Sequence, residues 1–214
     1  MPRIAVVDYG MGNLRSVEKA LARSAAHPTV TADHGAIREA EGLVLPGVGA
    51  FPRAMGEIRR LGLDEVLAER LDAGVPTLGI CLGAQLLFET SEELGGARGL
   101  GFLPGPVEPL DAPGLKIPQI GWNEVTWRRE SALRGGLPER TAFYHVHSFA
   151  ACPARESDVL ATASYGGEFT SAVERAPVYG VQFHPEKSGP HGLELLTNFA
   201  ALCTQAPVSA GVAT

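Results

Sequence analysis

The sequence predicts an α/β fold: a mostly parallel central sheet flanked by helices, with short antiparallel strands added in the C-terminal half. Three observations carry this. Short apolar, β-branched runs alternate with helix-periodic segments from Ile4 to Phe88. Two of those runs close in glycine-rich turns, Tyr9-Gly10-Met11-Gly12-Asn13 and Pro46-Gly47-Val48-Gly49. From Gly95 to Pro118 glycine and proline become frequent and strand signals short, so βα units give way to hairpins and loops.

In chain order, Ile4 to Asp8 reads as a strand, and Leu14, Val17, Ala20 and Leu21 follow its turn at helical spacing. Gly10 and Gly12 suggest the start of a dinucleotide fingerprint, but Arg15 stands where the third glycine belongs, so a tight βα turn is the better reading. Pro28 to Thr31 and Gly42 to Leu45 are the next strands, and helical patterns at about 53–60 and 63–73 lead to a fourth at Pro76–Ile80. Gln85 to Phe88 is expected to continue a helix opened after Cys81, and Glu89 to Glu93 to form a solvated acidic face. Gly121 to Trp127 reads as a turn feeding a strand, with Trp122 as a packing residue. Ala142 to Phe149 alternates as a strand that puts His145 and His147 on one face. A third ligand at a helpful spacing is missing, so no metal site is expected there. Val159–Ala163, Phe169–Val173 and Pro177–Phe183 are further strands, and Leu193, Leu195, Leu196, Phe199 and Leu202 make an amphipathic closing helix.

A chain of 214 residues supports one substantial core, so a single domain is expected over residues 1–203, with 204–214 as a frayed tail. The formal charge of -6 and the lack of a Lys/Arg-rich run exclude a nucleic-acid surface. No apolar run is long enough for a signal peptide or a membrane span, which makes a cytoplasmic protein the expectation. Cys81, Cys152 and Cys203 are an odd, widely spaced set that suits a reduced compartment; the latter two are expected to pack as small apolar side chains.

Chemistry concentrates around Pro76-Thr77-Leu78-Gly79-Ile80-Cys81-Leu82-Gly83-Ala84-Gln85. Gly-x-Cys-x-Gly is the cysteine form of a nucleophile elbow, in which small residues on either side let a strained strand-to-helix turn close. The turn would expose Cys81 and direct the N–H groups of Leu82 and Gly83, at the positive end of a helix, toward a thiolate or an oxyanion. A cysteine nucleophile also needs a base, and the base an orienting group. His184 ends an apolar strand and Glu186 follows two residues on. In a doubly wound sheet such strand ends meet at one edge even when about a hundred positions apart in sequence. The glycines flanking Val48 can bring further backbone N–H groups to a ligand.

Together Gly79-Ile80-Cys81-Leu82-Gly83-Ala84-Gln85 and Gln182-Phe183-His184-Pro185-Glu186 resemble the class I (triad) glutamine amidotransferases, and the α/β fold expected is theirs, with a flavodoxin-like sheet. Within that class, Asp8-Tyr9-Gly10-Met11-Gly12-Asn13-Leu14, Leu45-Pro46-Gly47-Val48-Gly49-Ala50-Phe51, Ile120-Gly121-Trp122-Asn123, Val146-His147-Ser148 and His184-Pro185-Glu186-Lys187-Ser188 resemble the glutaminase subunits of imidazole glycerol phosphate synthases. The resemblance runs from about residue 4 to about 200 and departs at Ala84, Gln119 and Phe149, where methionine, histidine and tyrosine are common.

The resemblance implies hydrolysis of L-glutamine to glutamate and ammonia by a Cys81, His184, Glu186 triad without a cofactor. It implies an oxyanion held by N–H groups of Leu82 and the Val48-Gly49 loop. Gln85 and Glu93 would hold the glutamine head group, with the backbone of Ser148 and Phe149 completing the pocket. It further implies a heterodimer with a (β/α)8-barrel cyclase of histidine biosynthesis, contacted near Asn13, Trp122, Tyr144 and Lys187. From the residues alone, a glutaminase serving another synthase, a stand-alone cysteine hydrolase or peptidase, and a non-catalytic interaction module remain as alternatives.

Overall fold

The computed structural model describes residues 1–205. The described strands form two sheets, a mixed one of nine and a smaller one of four. The first half is built from β1 (Arg3–Val7), α1 (Leu14–Arg23), β2 (His27–Thr31), α2 (His34–Glu39), β3 (Gly42–Gly47), α3 (Phe51–Arg60), α4 (Leu63–Asp72), β4 (Thr77–Cys81) and α5 (Leu82–Leu86). Short strands β5 (Thr90–Ser91), β6 (Ala97–Arg98) and β7 (Pro106–Pro109) follow. Then come β8 (Gln119–Trp127), β9 (Arg140–His147), β10 (Phe149–Ala151), β11 (Val159–Tyr165), β12 (Gly167–Arg175), β13 (Val178–Val181) and α6 (Gly189–Gln205).

The larger sheet has the order β2-β1-β3-β4-β13-β12-β11-β8-β9 and the smaller β10-β7-β5-β6, and the larger changes character along its width. Strands β1 to β4 and β13 pair parallel, while β13 through β12, β11, β8 and β9 pair antiparallel. β3, β4 and β13 are buried at every position, as parallel strands covered on both faces must be. Alternation splits the core in two. Ile4 and Val6 pack with Val17 and Leu21 of α1 and Leu195 and Phe199 of α6. Ala5 and Val7 pack on the other face with Ile37 of α2, Phe51 and Ile58 of α3 and Val66 of α4.

Three expectations need correction. α5 stops at Leu86 rather than running through Phe88, because later residues capture its carbonyls: Leu100 N–H donates to Leu86 O (2.9 Å), Leu103 to Leu87 O (3.0 Å) and Gly101 to Phe88 O (3.1 Å). Gly121 and Trp122 lie within β8, and Trp122 is 60% exposed, so it does not pack into the core. Cys203 is buried as expected, whereas Cys152 is exposed, its sulfur 3.5 Å from Glu108 Oε2, and burial together with that carboxylate pushes its thiol up to about 11. The tail placed at 204–214 lies outside the described residues except for Thr204 and Gln205, which continue α6. Among the described residues no helix is long and apolar enough to cross a membrane.

The strand order is what positions the site. β3, β4 and β13 are neighbours and parallel, with Gly47 opposite Cys81 and Val181 opposite Ile80. Their C-terminal ends therefore set the Val48-Gly49 loop, Cys81 and the Gln182–His184 segment side by side at one edge.

Candidate active site

Cys81 occupies the corner between β4 and α5 with φ 54° and ψ −113°, and at 6% exposed it is buried rather than exposed as expected, because Val146 and Gln182 crowd its sulfur. A side chain at positive φ carries strain of about 1–3 kcal/mol, so the surrounding contacts must hold it there. Close approach explains the flanking glycines. A Cβ at Gly79 would lie 2.6 Å from Ala84 Cα, and one at Gly83 would overlap the carbonyl oxygen of Leu45. With five residues, α5 has little macrodipole, so what the corner offers an anion is individual N–H groups rather than the positive end of a long helix.

The sulfur has mixed neighbours. Cys81 Sγ is 3.6 Å from the acceptor oxygen of Val146 and 3.8 Å from the donor Nε2 of Gln182. His184 follows β13, and its Nδ1 lies 2.9 Å from Glu186 Oε1, with the two side chains 4% and 1% exposed. Burial pulls the imidazole's proton affinity down, but hydrogen bonds to Cys81 and Glu186 overcome it and raise its pKa to about 9. The other Glu186 oxygen is buried with no partner among the described residues, so the carboxylate directs its hydrogen bonding to the ring. Backbone bonds fix the histidine: His184 N–H donates to Tyr144 O (2.8 Å), Tyr144 N–H to Ser188 Oγ (3.0 Å), and the Ser188 hydroxyl to His184 O (2.7 Å).

Cys81 and His184 open onto a cavity of about 260 Å³ that also brings together Val48, Gly49, Leu82, Gln85, Glu93, Ser148, Phe149 and Lys187. Glu186 stands behind His184 rather than on the wall, and Asn13, Trp122 and Tyr144 lie off it. Gly49 adopts φ +100°, and a Cβ there would meet Met11 Cε at 2.8 Å. Gln85 Nε2 donates to Phe149 O (2.9 Å) and Gln182 Oε1 (3.0 Å), which uses both amide protons and leaves Gln85 Oε1 as an acceptor. Glu93 is no merely solvated acid: its Oε2 accepts the Phe51 N–H at 2.7 Å, capping the first turn of α3, and its other oxygen is left for the cavity.

Sequence reasoning missed Pro118, Val146 and His147 on the wall and Gln182 beside the sulfur. The alternation of β9 was the available signal, since it turns His145 and His147 inward together. Both rings are occupied by protein partners. His145 Nδ1 donates to Phe143 O (3.1 Å) and its Nε2 accepts from Ser171 Oγ (3.0 Å). His147 Nδ1 donates to Phe149 O (2.9 Å), and its Nε2 lies 2.9 Å from the side-chain amide of Gln119. Burial pushes them down to about 3 and about 4 respectively, so both are neutral, and the Gln119 amide must present its NH2 to His147. Gln119, 3% exposed, thus supports the cavity wall from behind rather than a surface. Among the described residues no group of three or more His, Cys, Asp or Glu is arranged to hold a metal ion.

On the outer surface Trp122 stands edge-on to Tyr144 at 6.2 Å, and Lys187 Nζ sits 5.9 Å from the Tyr144 ring centre. Ile120 (61%) is exposed on the same strand as Trp122, and Val48 (42%) at the cavity rim. Asn13 is exposed at the start of α1 and makes no side-chain cap.

Comparison with known proteins identifies the family. Residues 5–203 match the family model of glutamine amidotransferase class-I. The imidazole glycerol phosphate synthase subunit HisH of Moorella thermoacetica is 51% identical over 206 residues, covering 96% of this chain and 98% of that protein. HisH of Aquifex aeolicus is 50% identical over 198 residues, covering 92% and 95%. Among solved structures, a putative GMP synthase component from Thermoplasma acidophilum (TM-score 0.74, 21% identity, 95% of this chain and 94% of that one) shares the fold. PurLQS from Thermotoga maritima does so too (TM-score 0.75, 19% identity, 94% and 98%). The chain belongs to the class-I glutamine amidotransferases, in the family of HisH subunits of imidazole glycerol phosphate synthase.

Proposed function

We propose that residues 1–203 form one glutamine amidotransferase domain that releases ammonia from glutamine for a second subunit. The observation that carries this reading is the placement of Cys81 and the Glu186-paired His184 at adjacent strand ends, opening on one cavity. The Cys81 thiolate attacks the side-chain amide carbon of glutamine. N–H groups of Leu82 and of the Val48-Gly49 loop take the tetrahedral oxyanion. His184, charged and held by Glu186, gives its proton to the departing ammonia; the neutral ring then takes a proton from the water that cleaves the γ-glutamyl thioester. Gln85, with only its oxygen free, and the second oxygen of Glu93 meet the substrate ammonium, and the Ser148-Phe149 segment closes the pocket. These side chains handle every proton in the sequence of steps.

The partner is a (β/α)8-barrel cyclase that uses the ammonia in histidine biosynthesis, forming a heterodimer in the cytoplasm. HisH relatives are named as components of the synthase, and the exposed Trp122 and Lys187 on either side of half-buried Tyr144, with Asn13 exposed at the start of α1, offer the aromatic and charged anchors such an interface uses. The Val48-Gly49 peptide turns its N–H toward the oxyanion when the partner carries its ligand.

Glutamate release with and without the cyclase and its nucleotide substrate tests the whole reading. The isolated chain turns over slowly, and the liganded complex is faster by about a hundredfold, the worth of one added oxyanion donor. Cys81→Ala brings both to background. Activity retained by Cys81→Ala overturns the nucleophile, and full turnover without a partner overturns the dependence on a cyclase.

A further inference from the structure

Gln182 is 4% exposed and lies one residue beyond the β13–β4 pairing, level with Cys81. Its main chain is pinned, Gln182 N–H donating to Ser171 O at 2.8 Å. A chain of partners fixes which way its carboxamide faces. Phe149 O can only accept, so Gln85 presents its NH2 there and to Gln182, which must answer with Oε1. That leaves the Gln182 NH2 facing the sulfur, 3.8 Å away. The opposite neighbour, Val146 O at 3.6 Å, accepts from a thiol but repels a thiolate. Apart from His184, Gln182 is the donor that the described side chains aim at the sulfur.

We propose that Gln182 is a catalytic donor to the reacting sulfur: its carboxamide N–H supports the negative charge on Cys81, with Gln85 holding it in register. The N–H···S contact is long for a neutral thiol and tightens once the sulfur is charged. The proposal rests on the glutaminase reading for its catalytic meaning, though not for its geometry. It assigns Gln85 two roles, one oxygen toward the ligand and one NH2 toward the Gln182 amide, so the pocket wall and the nucleophile share one amide chain.

The test is Gln182→Met in the full chain, with iodoacetamide capture of Cys81 read by peptide mass, which separates it from the exposed thiol of Cys152. Capture at neutral pH falls about tenfold in the variant. With the partner present, glutamine turnover falls about tenfold in kcat and less in KM, and the melting temperature shows the variant folded. Neutral-pH capture equal to wild type, or a loss confined to KM, overturns the proposal. Should the variant not fold, the side-chain NH2 resonances of glutamine-labelled wild type and Cys81→Ala decide: the Gln182 signal shifts and the Gln119 signal does not, and an unmoved Gln182 signal overturns it. Capture needs no turnover, so slowed capture in a chain that never hydrolyses glutamine would fault the glutaminase reading alone.

Discussion

His184, beyond β13, and the His145–His147 pair, on β9, are buried to similar depth, 3% exposed against 0% and 5%. Their proton affinities nonetheless diverge, His184 at about 9 and the pair at about 3 and about 4. Burial alone drives an imidazole neutral; what reverses it at His184 is the Cys81 sulfur and a carboxylate at 2.9 Å. The pair meets a backbone carbonyl, a hydroxyl and an amide, none of which holds a full charge. One cavity therefore has a histidine built to carry a proton and a histidine, His147, built to act as neutral wall.

The largest effect is expected from erasing that difference. Glu186→Gln gives His184 the kind of amide neighbour that His147 has, and its proton affinity falls below about 9, the Cys81 contribution staying in place. Glutamine turnover in the complex should drop by about three orders of magnitude, as when a triad histidine loses its carboxylate. Near neutral pH the melting temperature should fall only by the part of the His184 contribution that Glu186 supplies, because the side chain keeps its shape. Steady-state kinetics beside thermal denaturation check this, and a turnover loss under tenfold would mean that Glu186 does not govern the proton on His184.

Next in size is the pH dependence of stability, whose two limbs separate the two groups. His184 has a folded value raised above the ordinary 6.5, so its contribution is complete below 6.5 and is lost as pH rises through about 9. His145 and His147 have lowered values, so theirs is complete above 6.5 and is lost as pH falls toward about 4 and about 3. Each unit is worth about 1.4 kcal/mol at most. From these three groups the melting temperature should peak near about pH 6.5 and fall on both sides. Glu186→Gln should flatten the alkaline limb and leave the acid limb in place; equal flattening of both would refute the separation.

The comparison also marks what the sequence could show. Gly79, Cys81 and Gly83 announce the elbow, because the requirement for small residues is local and leaves its trace in adjacent positions. His184 and Glu186 are legible as a pair for the same reason. The alternation of the parallel strands and the helices after them is equally local. Gln182 stands in plain view two residues before His184, but its contact with Cys81 exists only because β13 pairs with β4, a register that no local pattern encodes. The early end of α5 has the same origin, since Leu100, Gly101 and Leu103 arrive from a loop beyond β6. Trp122 reads as packing because hydrophobicity alone does not distinguish a core from an exposed face.

The smallest effect on the fold, and the sharpest on assembly, belongs to Trp122. β9 turns Phe143, His145 and His147 inward and Tyr144 toward the surface, where it meets the edge of Trp122. The Tyr144 main chain in turn holds His184 through its carbonyl and through Ser188, so this outward face is one peptide away from the charged histidine. Trp122→Ala removes a side chain that is 60% exposed and leaves those backbone bonds intact. Stability should stay within about 0.5 kcal/mol of wild type. Both pH limbs should be unchanged, while affinity for the proposed cyclase partner should fall about thirtyfold, as for an aromatic anchor. Calorimetric titration of the complex beside thermal denaturation measures both. If affinity held and stability fell instead, Trp122 would be supporting β9 and its histidines rather than meeting a partner.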